Sequence, residues 1–348
     1  MEARASTAAD VSTAAGILRL GTAFCDAKAL LTAVRLGVFT TLDDSPATAG
    51  ELRERLGLHG RGLPDFLDLL TARGLLRRGA DGRYRNAEGA DRALVEGRPE
   101  SVTGFLIGAD LNLYDVYGRL GDALRTGRPQ ADGDFTGMLD DPEATGRFAS
   151  MMDSLTKGLG PQLLAALDAA GCGGPGTVLD VGGCRGHLLG QLLTARPELT
   201  GQVFDLPQMA PFFAGHMAGL GLSGRSSFHA GDFFRDPLPP ADVVILGHVL
   251  SDWSPEQREL LLAKAYAALR PGGAALVYDR MPAGHDDGAD GPENIENLVA
   301  GLNMLLVTDG GGGYTAAELM ERARAAGFAS AARRPLGDHD TLVVCRKD

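Results

Sequence analysis

The sequence predicts an α/β protein, with a mostly parallel sheet covered by helices on both faces and a smaller, mainly helical unit in front of it. Three observations carry the prediction. From Gly176 onward, short apolar strand segments alternate with capped helices. The first of those strands runs into a glycine-rich turn. Upstream, three short helices and a hairpin signal follow one another in the order of a winged helix.

Residues 27–36 form an apolar helical segment ending at Gly37. Thr48 is placed to cap a helix over 49–56, which Gly57 stops. Leu63, Phe66, Leu67, Leu69 and Leu70 stand at mostly helical spacing, and Gly74 closes that helix. The segments 75–78 and 83–85 flank Asp81-Gly82, a strong hairpin signal. The winged-helix pattern covers residues 1–100. Its arginines (Arg73, Arg77, Arg78, Arg83 and Arg85) admit two readings, contacts to DNA or the solvated face of a dimerisation domain. The net charge of −12 favours the second and argues against nucleic acid as a partner. A helical connector is expected over 101–170, broken near Gly127-Arg128-Pro129, with Phe148, Met151, Met152 and Leu155 along one stripe.

The third region, 171–348, opens with a strand over 177–181. Leu188, Leu189, Leu192 and Leu193 mark a helix that stops before Pro197, and strands follow over 202–205 and 241–246. Ser254-Pro255-Glu256-Gln257 is a capping box with proline at the first helical position, opening a helix expected to reach Arg270. Pro271-Gly272-Gly273 precedes a strand over 274–278. Thr315 and Glu318 open a last helix, closed by Gly327, before strands over 329–333 and 341–345.

A length of 348 residues suits two modest domains, and 44% hydrophobic with 22% charged residues is an ordinary globular balance. No apolar run approaches the roughly 20 residues that span a bilayer. The first ten residues lack a basic stretch followed by an apolar one, so a cytoplasmic protein is expected. Cys25, Cys172, Cys184 and Cys345 form no CxxC pair, which favours reduced thiols over a zinc site or disulfides. His248, His285 and His339 do not stand at ligand spacing, so no metal is expected.

In such sheets ligands bind beyond the carboxyl ends of the strands, where the strand order reverses. Asp180, Asp205 and Asp232 fall at those ends. Gly182, Gly183 and Gly186 let the backbone approach a ligand and present N–H groups at a helix N-terminus. Asp205 is placed to accept hydrogen bonds from ribose hydroxyls. Asp232 and Phe233 suit an adenine, through its exocyclic amine and its ring face. Singly, each signal has an ordinary structural reading, such as a tight strand–helix connection or an N-cap. Their order within one sheet points to an adenosyl-type ligand.

At these residues the chain resembles the bacterial and plant family of small-molecule O-methyltransferases. The similarity lies in Val178-Leu179-Asp180-Val181-Gly182-Gly183, Asp205-Leu206-Pro207, Gly231-Asp232-Phe233-Phe234, His248-Val249-Leu250-Ser251-Asp252-Trp253, Pro271-Gly272-Gly273 and Ala326-Gly327-Phe328. The resemblance implies a Rossmann-like class I methyltransferase domain behind a winged-helix dimerisation domain, assembled as an intertwined homodimer. It implies S-adenosyl-L-methionine as cofactor, held by Gly182, Asp205, Leu206, Asp232 and Phe233, with Asp180, Gly183 and Gly247 beside them. Phe148, Met152, Met304 and Thr308 would line the pocket of a small aromatic or polyketide-like acceptor.

The departures from that pattern bear on mechanism. The family's usual base is a histidine directly before Asp-Trp, and Ser251 stands there. A serine hydroxyl does not take a proton near neutral pH without an activator. A lysine often found at Gly247 and a glutamate often found at Gly313 are absent, while Asp279 remains as a supporting carboxylate. Cys184 replaces a usual third glycine, at a cost in backbone freedom. The catalytic candidates are therefore His248, Ser251, Asp252 and Asp279. His248 is one substitute base, with His229, Asp252 or Asp279 as partner, although alternation along the preceding strand does not say where it points. The preferred expectation is methyl transfer by proximity and orientation alone, to an acidic phenol or enol, an amine or a carbon. Positioning contributes roughly 7–11 kcal/mol at best. The alternatives are a tailoring reaction without methyl transfer and, further off, a ligand-sensing winged-helix regulator.

Overall fold

The computed structural model describes residues 11–131, 135–284, 291 and 294–348, so the expected turn at His285 lies outside the described residues. The chain divides into two compact units, Met1–Leu111 and Asn112–Asp348.

The first unit holds helices Ala14–Gly21, Ala23–Arg35, Val38–Asp44, Ala49–Arg55 and Leu63–Ala72, then a hairpin of β1 (Leu76–Arg78) and β2 (Tyr84–Asn86). Thr48 caps its helix through a full capping box, its hydroxyl taking the Glu51 N–H while the Glu51 carboxylate takes the Thr48 N–H. Phe39, Leu52, Leu67, Leu70, Leu76 and Tyr84 close the core of this unit. The arginines expected on a solvated face are largely neutralised within the unit. Arg73 pairs with Asp26, Arg78 lies 3.6 Å from Asp68, and Arg83 grips both Glu51 oxygens at 2.7 and 2.9 Å. Ile17, Leu18, Leu20 and Phe24 leave an apolar strip exposed on the first two helices.

The second unit is built on a sheet of seven strands among the described residues: β3 (Gly176–Val181), β4 (Leu199–Asp205), β5 (Ser226–Ala230), β6 (Ala241–Gly247), β7 (Leu269–Asp279), β8 (Ser330–Leu336) and β9 (Asp340–Arg346). Their order is β5-β4-β3-β6-β7-β9-β8, parallel from β5 to β7, with β9 antiparallel to both neighbours. The chain steps outward from β3 to β5 and then returns to place β6 beside β3. That reversal sets the crevice between the carboxyl ends of β3 and β6. The sheet is buried on both faces, Leu179, Val244, Leu246 and Val277 on one and Val178, Ile245, Leu276 and Leu342 on the other. Burial on two faces is why the inner strands read as continuous apolar runs.

Two elements differ from expectation. Strand β5 is not announced by the sequence, because Ser226-Ser227-Phe228-His229-Ala230 is an edge strand with no apolar run. The helix from Pro255 ends at Ala268 and not at Arg270, and Leu269 already has extended backbone at φ −70° and ψ 135°. Proline at 271 disfavours helical backbone at Arg270, so the turn comes earlier. No described helix is long and apolar enough to cross a membrane.

Candidate functional site

The glycine turn after β3 places its backbone against the end of β4. Gly182 donates to the Phe204 carbonyl at 2.9 Å and has φ +72°, where a side chain would also press on Val249. Gly183 leaves room for the carboxyl of buried Asp180, which a Cβ there would meet at 2.6 Å. Cys184 takes φ +54° with its thiol buried and donates its N–H to Asp205 Oδ2 at 2.7 Å. Asp205 Oδ1 accepts the Leu206 N–H, also at 2.7 Å. The turn therefore orients the Asp205 carboxylate and leaves each oxygen a second lone pair. Burial pushes Asp205 up to about 6, against the pull of those two N–H groups. Burial, then the Asp205 charge, pushes Asp180 up to about 7.

Asp232 lies two residues beyond β5, where its Oδ1 accepts the Phe234 N–H at 2.9 Å and Arg235 approaches at 3.3 Å. Phe233 meets Phe234 and Trp253 edge-on, at 4.9 and 5.7 Å between centroids. Phe148 and Met152, on helix Pro142–Thr156, pack in one cluster with Cys184, Leu206 and Met209. The expected acceptor stripe thus abuts the glycine turn. A partly buried ion pair fastens the same two elements: Arg185 of the turn bonds buried Asp153 of the helix, with His187 Nδ1 3.8 Å from that carboxylate. Replacing Arg185 with methionine strands the Asp153 carboxylate, which is only 7% exposed. A loss of about 2–3 kcal/mol in denaturant unfolding is expected, somewhat below the cost for a fully buried pair. Adding Asp153→Asn should recover part of it.

The second half of the site sits at the ends of β6 and β7. Ser251 donates its hydroxyl to Asp279 Oδ1 at 2.9 Å and its N–H to Oδ2 at 3.2 Å. Tyr314 donates to the same Oδ2 at 2.6 Å. The segment after helix Ile295–Val307 folds onto this point: Gly312 N–H bonds the Ser251 carbonyl at 2.8 Å. Thr308 Oγ1 accepts the Gly311 N–H at 2.9 Å and donates to the Met304 carbonyl at 2.8 Å. Thr308 is so brought beside the Ser251 carbonyl, with Met304 one turn earlier on the same helix. Buried Arg258 braces the segment, donating to the Leu250 and Gly312 carbonyls and lying 4.6 Å over the Tyr314 ring. Burial, then the Asp279 charge, pushes Asp252 up to about 8.

His248 has φ +52°, a left-handed conformation at the end of β6 that breaks strand alternation. Its ring stands edge-on to Tyr278 at 5.1 Å, with Nδ1 3.5 Å from Asp279 and Nε2 3.3 Å from Asp340 Oδ2. The Nε2 contact is too oblique for a directed hydrogen bond, so it is an ion-pair contact. Burial alone would lower this imidazole, but the two carboxylates raise it to about 10. Gly247 has no room for a side chain: a Cβ would stand 2.2 Å from the Tyr278 ring carbon Cζ. Gly247→Ala must displace a buried phenol and is expected to cost about 1–3 kcal/mol in thermal unfolding. Gly313 lies against Pro282, and Tyr314 beside it reaches Asp279.

Sequence reasoning missed Asp340, Tyr314, Tyr278 and the Arg185–Asp153 pair. Tyr278 and Asp340 lie on inner strands β7 and β9, whose side-chain pattern reads simply as core, with no local motif to mark them. All four cysteines are free, Cys25 exposed and Cys184 and Cys345 buried. Among the described residues no three His, Cys, Asp or Glu side chains gather as a metal site.

With this geometry in place, the chain can be set beside known proteins. A family model for an O-methyltransferase dimerisation domain matches residues 18–96, and one for an O-methyltransferase domain matches 117–329. A tetracenomycin polyketide synthesis 8-O-methyl transferase of Streptomyces glaucescens is 44% identical over 333 residues, 95% of this chain and 96% of that protein. An N,N-dimethyltransferase of Streptomyces rimosus is 40% identical over 279 residues, 78% of this chain and 80% of that one. The crystal structure of human N-acetylserotonin methyltransferase with S-adenosylmethionine superposes with a TM-score of 0.86 at 26% identity, covering 97% of this chain and 99% of that one.

Proposed function

The chain belongs to the S-adenosylmethionine-dependent O-methyltransferases, and on that premise we propose that it methylates an acidic hydroxyl of an aromatic polyketide. When bound, S-adenosylmethionine supplies an electrophilic methyl group on sulfur. The residues present fit it. Asp205 offers two oriented carboxylate oxygens for a ribose diol, and the Gly182-Gly183 turn leaves the space that close backbone approach needs. Leu206, Asp232, Phe233 and Asp180 complete that side in our reading, and Phe148, Met152, Met304 and Thr308 face the acceptor.

One observation carries the choice of acceptor: among the described residues no strong base at this point is free. Ser251 has given its proton to the hydrogen bond with Asp279, and both nitrogens of His248 face carboxylates. Asp279 already accepts from Ser251 and Tyr314. The acceptor therefore loses its proton to solvent, and the enzyme contributes position and orientation. Ser251 Oγ, its own proton directed at Asp279, presents lone pairs that steer the acceptor hydroxyl before ionisation. The 8-O-methyl transferase relative, matched over 95% of this chain and 96% of its own length, supports a polyketide phenol over an amine. A tailoring enzyme without methyl transfer is not favoured, since the matched domain and the close relatives are methyltransferases.

The dimerisation domain supports a homodimer formed through the N-terminal unit. We read the protein as cytoplasmic, with no nucleic-acid partner, given the acidic balance and the internally paired arginines. The test is methyl transfer by the purified dimer to polyketide phenols and matched amines, followed by mass gain. Methylated amine without methylated phenol would overturn the proposal.

A further inference from the structure

We infer that His248 and Asp340 are positioning residues, a charge pair reaching from β9 that keeps Asp279 available to orient Ser251. The inference rests on the role given to Ser251 under the proposed function. It starts from charge. Asp279 and Asp340 have side chains 3% and 9% exposed, on neighbouring strands β7 and β9, and His248 lies between them at 10% exposure. A neutral imidazole has one N–H and one lone pair, so either tautomer would aim a lone pair at a carboxylate. Only the doubly protonated ring presents N–H to both sides.

The groups around it are compatible with a single cation there. Asp279 and Tyr278 face it from β7, Asp340 from β9, and Asp252 from the turn that follows. Asp252 and Tyr278 are held toward their neutral forms, Tyr278 by burial foremost and Asp252 likewise. The imidazolium thus compensates two carboxylates that would otherwise repel each other within one buried pocket. Remove it and the two carboxylates repel each other, which draws Asp279 out of line with Ser251 Oγ. Ser251 Oγ then loses its fixed partner, and its lone pairs no longer turn to the acceptor. The left-handed backbone of His248 fits this role, since a regular strand would send the side chain elsewhere.

The experiment uses the full-length dimer labelled with 13C,15N-histidine, His248 being assigned from its loss in His248→Gln. In the wild type its ring signals should remain those of the imidazolium from pH 6 to 9. In Asp340→Asn the midpoint should move down by about 1–3 pH units. KM for the phenol should rise about tenfold in both His248→Gln and Ser251→Ala, with calorimetric S-adenosylmethionine affinity within about twofold. The double variant should be no worse than either single one. His248→Arg, which keeps a cation, should retain more of the wild-type KM than His248→Gln, and it guards against a variant that fails to fold. A wild-type His248 that titrates near 6.5, or a midpoint unmoved by Asp340→Asn, would overturn the charge pair. A wild-type KM in Ser251→Ala, with His248 still titrating high, would instead sink the Ser251 reading and the positioning role with it.

Discussion

Asp205→Ala is expected to weaken S-adenosylmethionine binding by about a hundredfold, read as Kd by calorimetry. The carboxylate accepts the Cys184 N–H at one oxygen and the Leu206 N–H at the other, both at 2.7 Å. Its loss removes the proposed ribose acceptor and strands those donors, a combined effect of roughly 2–3 kcal/mol. Asp205→Asn should be milder, because one carbonyl oxygen still accepts. The same residue sets a pH dependence. Burial raises Asp205 to about 6, so it is ionised above that value and protonated below it. Only the ionised form accepts at both oxygens. Kd should therefore be flat between pH 7.5 and 8.5, on the order of the unperturbed plateau, and rise as pH falls through about 6. An unchanged Kd at pH 5 would show that Asp205 does not hold the cofactor.

Ser251→His is expected to raise kcat/KM about a hundredfold for a weakly acidic phenol and hardly at all for a strongly acidic one. Asp279 stands 2.9 Å from Ser251 Oγ, well placed to hold the N–H of an imidazole introduced there. General-base catalysis contributes about 10²–10⁴-fold where the proton must be removed in the transition state. An acceptor already ionised at the assay pH gains nothing from it. Measured at pH 7, the wild-type rate should fall steeply as acceptor pKa rises toward about 10, the value of a simple phenol. The variant's rate should fall less. Equal wild-type rates on phenols of pKa near 7 and near 10 would mean that a base operates after all.

The glycine turn and strand-end carboxylates of the candidate cofactor half were legible in the sequence because their physics is local. A strand that enters a glycine turn puts N–H groups at a helix N-terminus within a few residues of chain. Asp205 followed from spacing, and the structure places it against that turn. The capping boxes at Thr48, Ser254 and Thr315 were equally local, each closed by a side chain three residues on. Strand β5 was not legible, since an edge strand carries no apolar run to announce it.

The acceptor half was not legible in that way. Asp279 pairs with Ser251 across 28 positions and with Tyr314 across 35, and neither spacing has a pattern of its own. The direction of His248 depended on a backbone angle outside the strand region, which alternation cannot anticipate. What the sequence determined alone was the order of elements, the glycine turn and the carboxylates at the strand ends, all consequences of short-range geometry and patterning. What only the tertiary structure decided was which charges face one another. That depends on the antiparallel return of β9 beside β7, which brings Asp340 to the far side of His248. A buried ionisable group takes its protonation from such neighbours and not from its place in the chain.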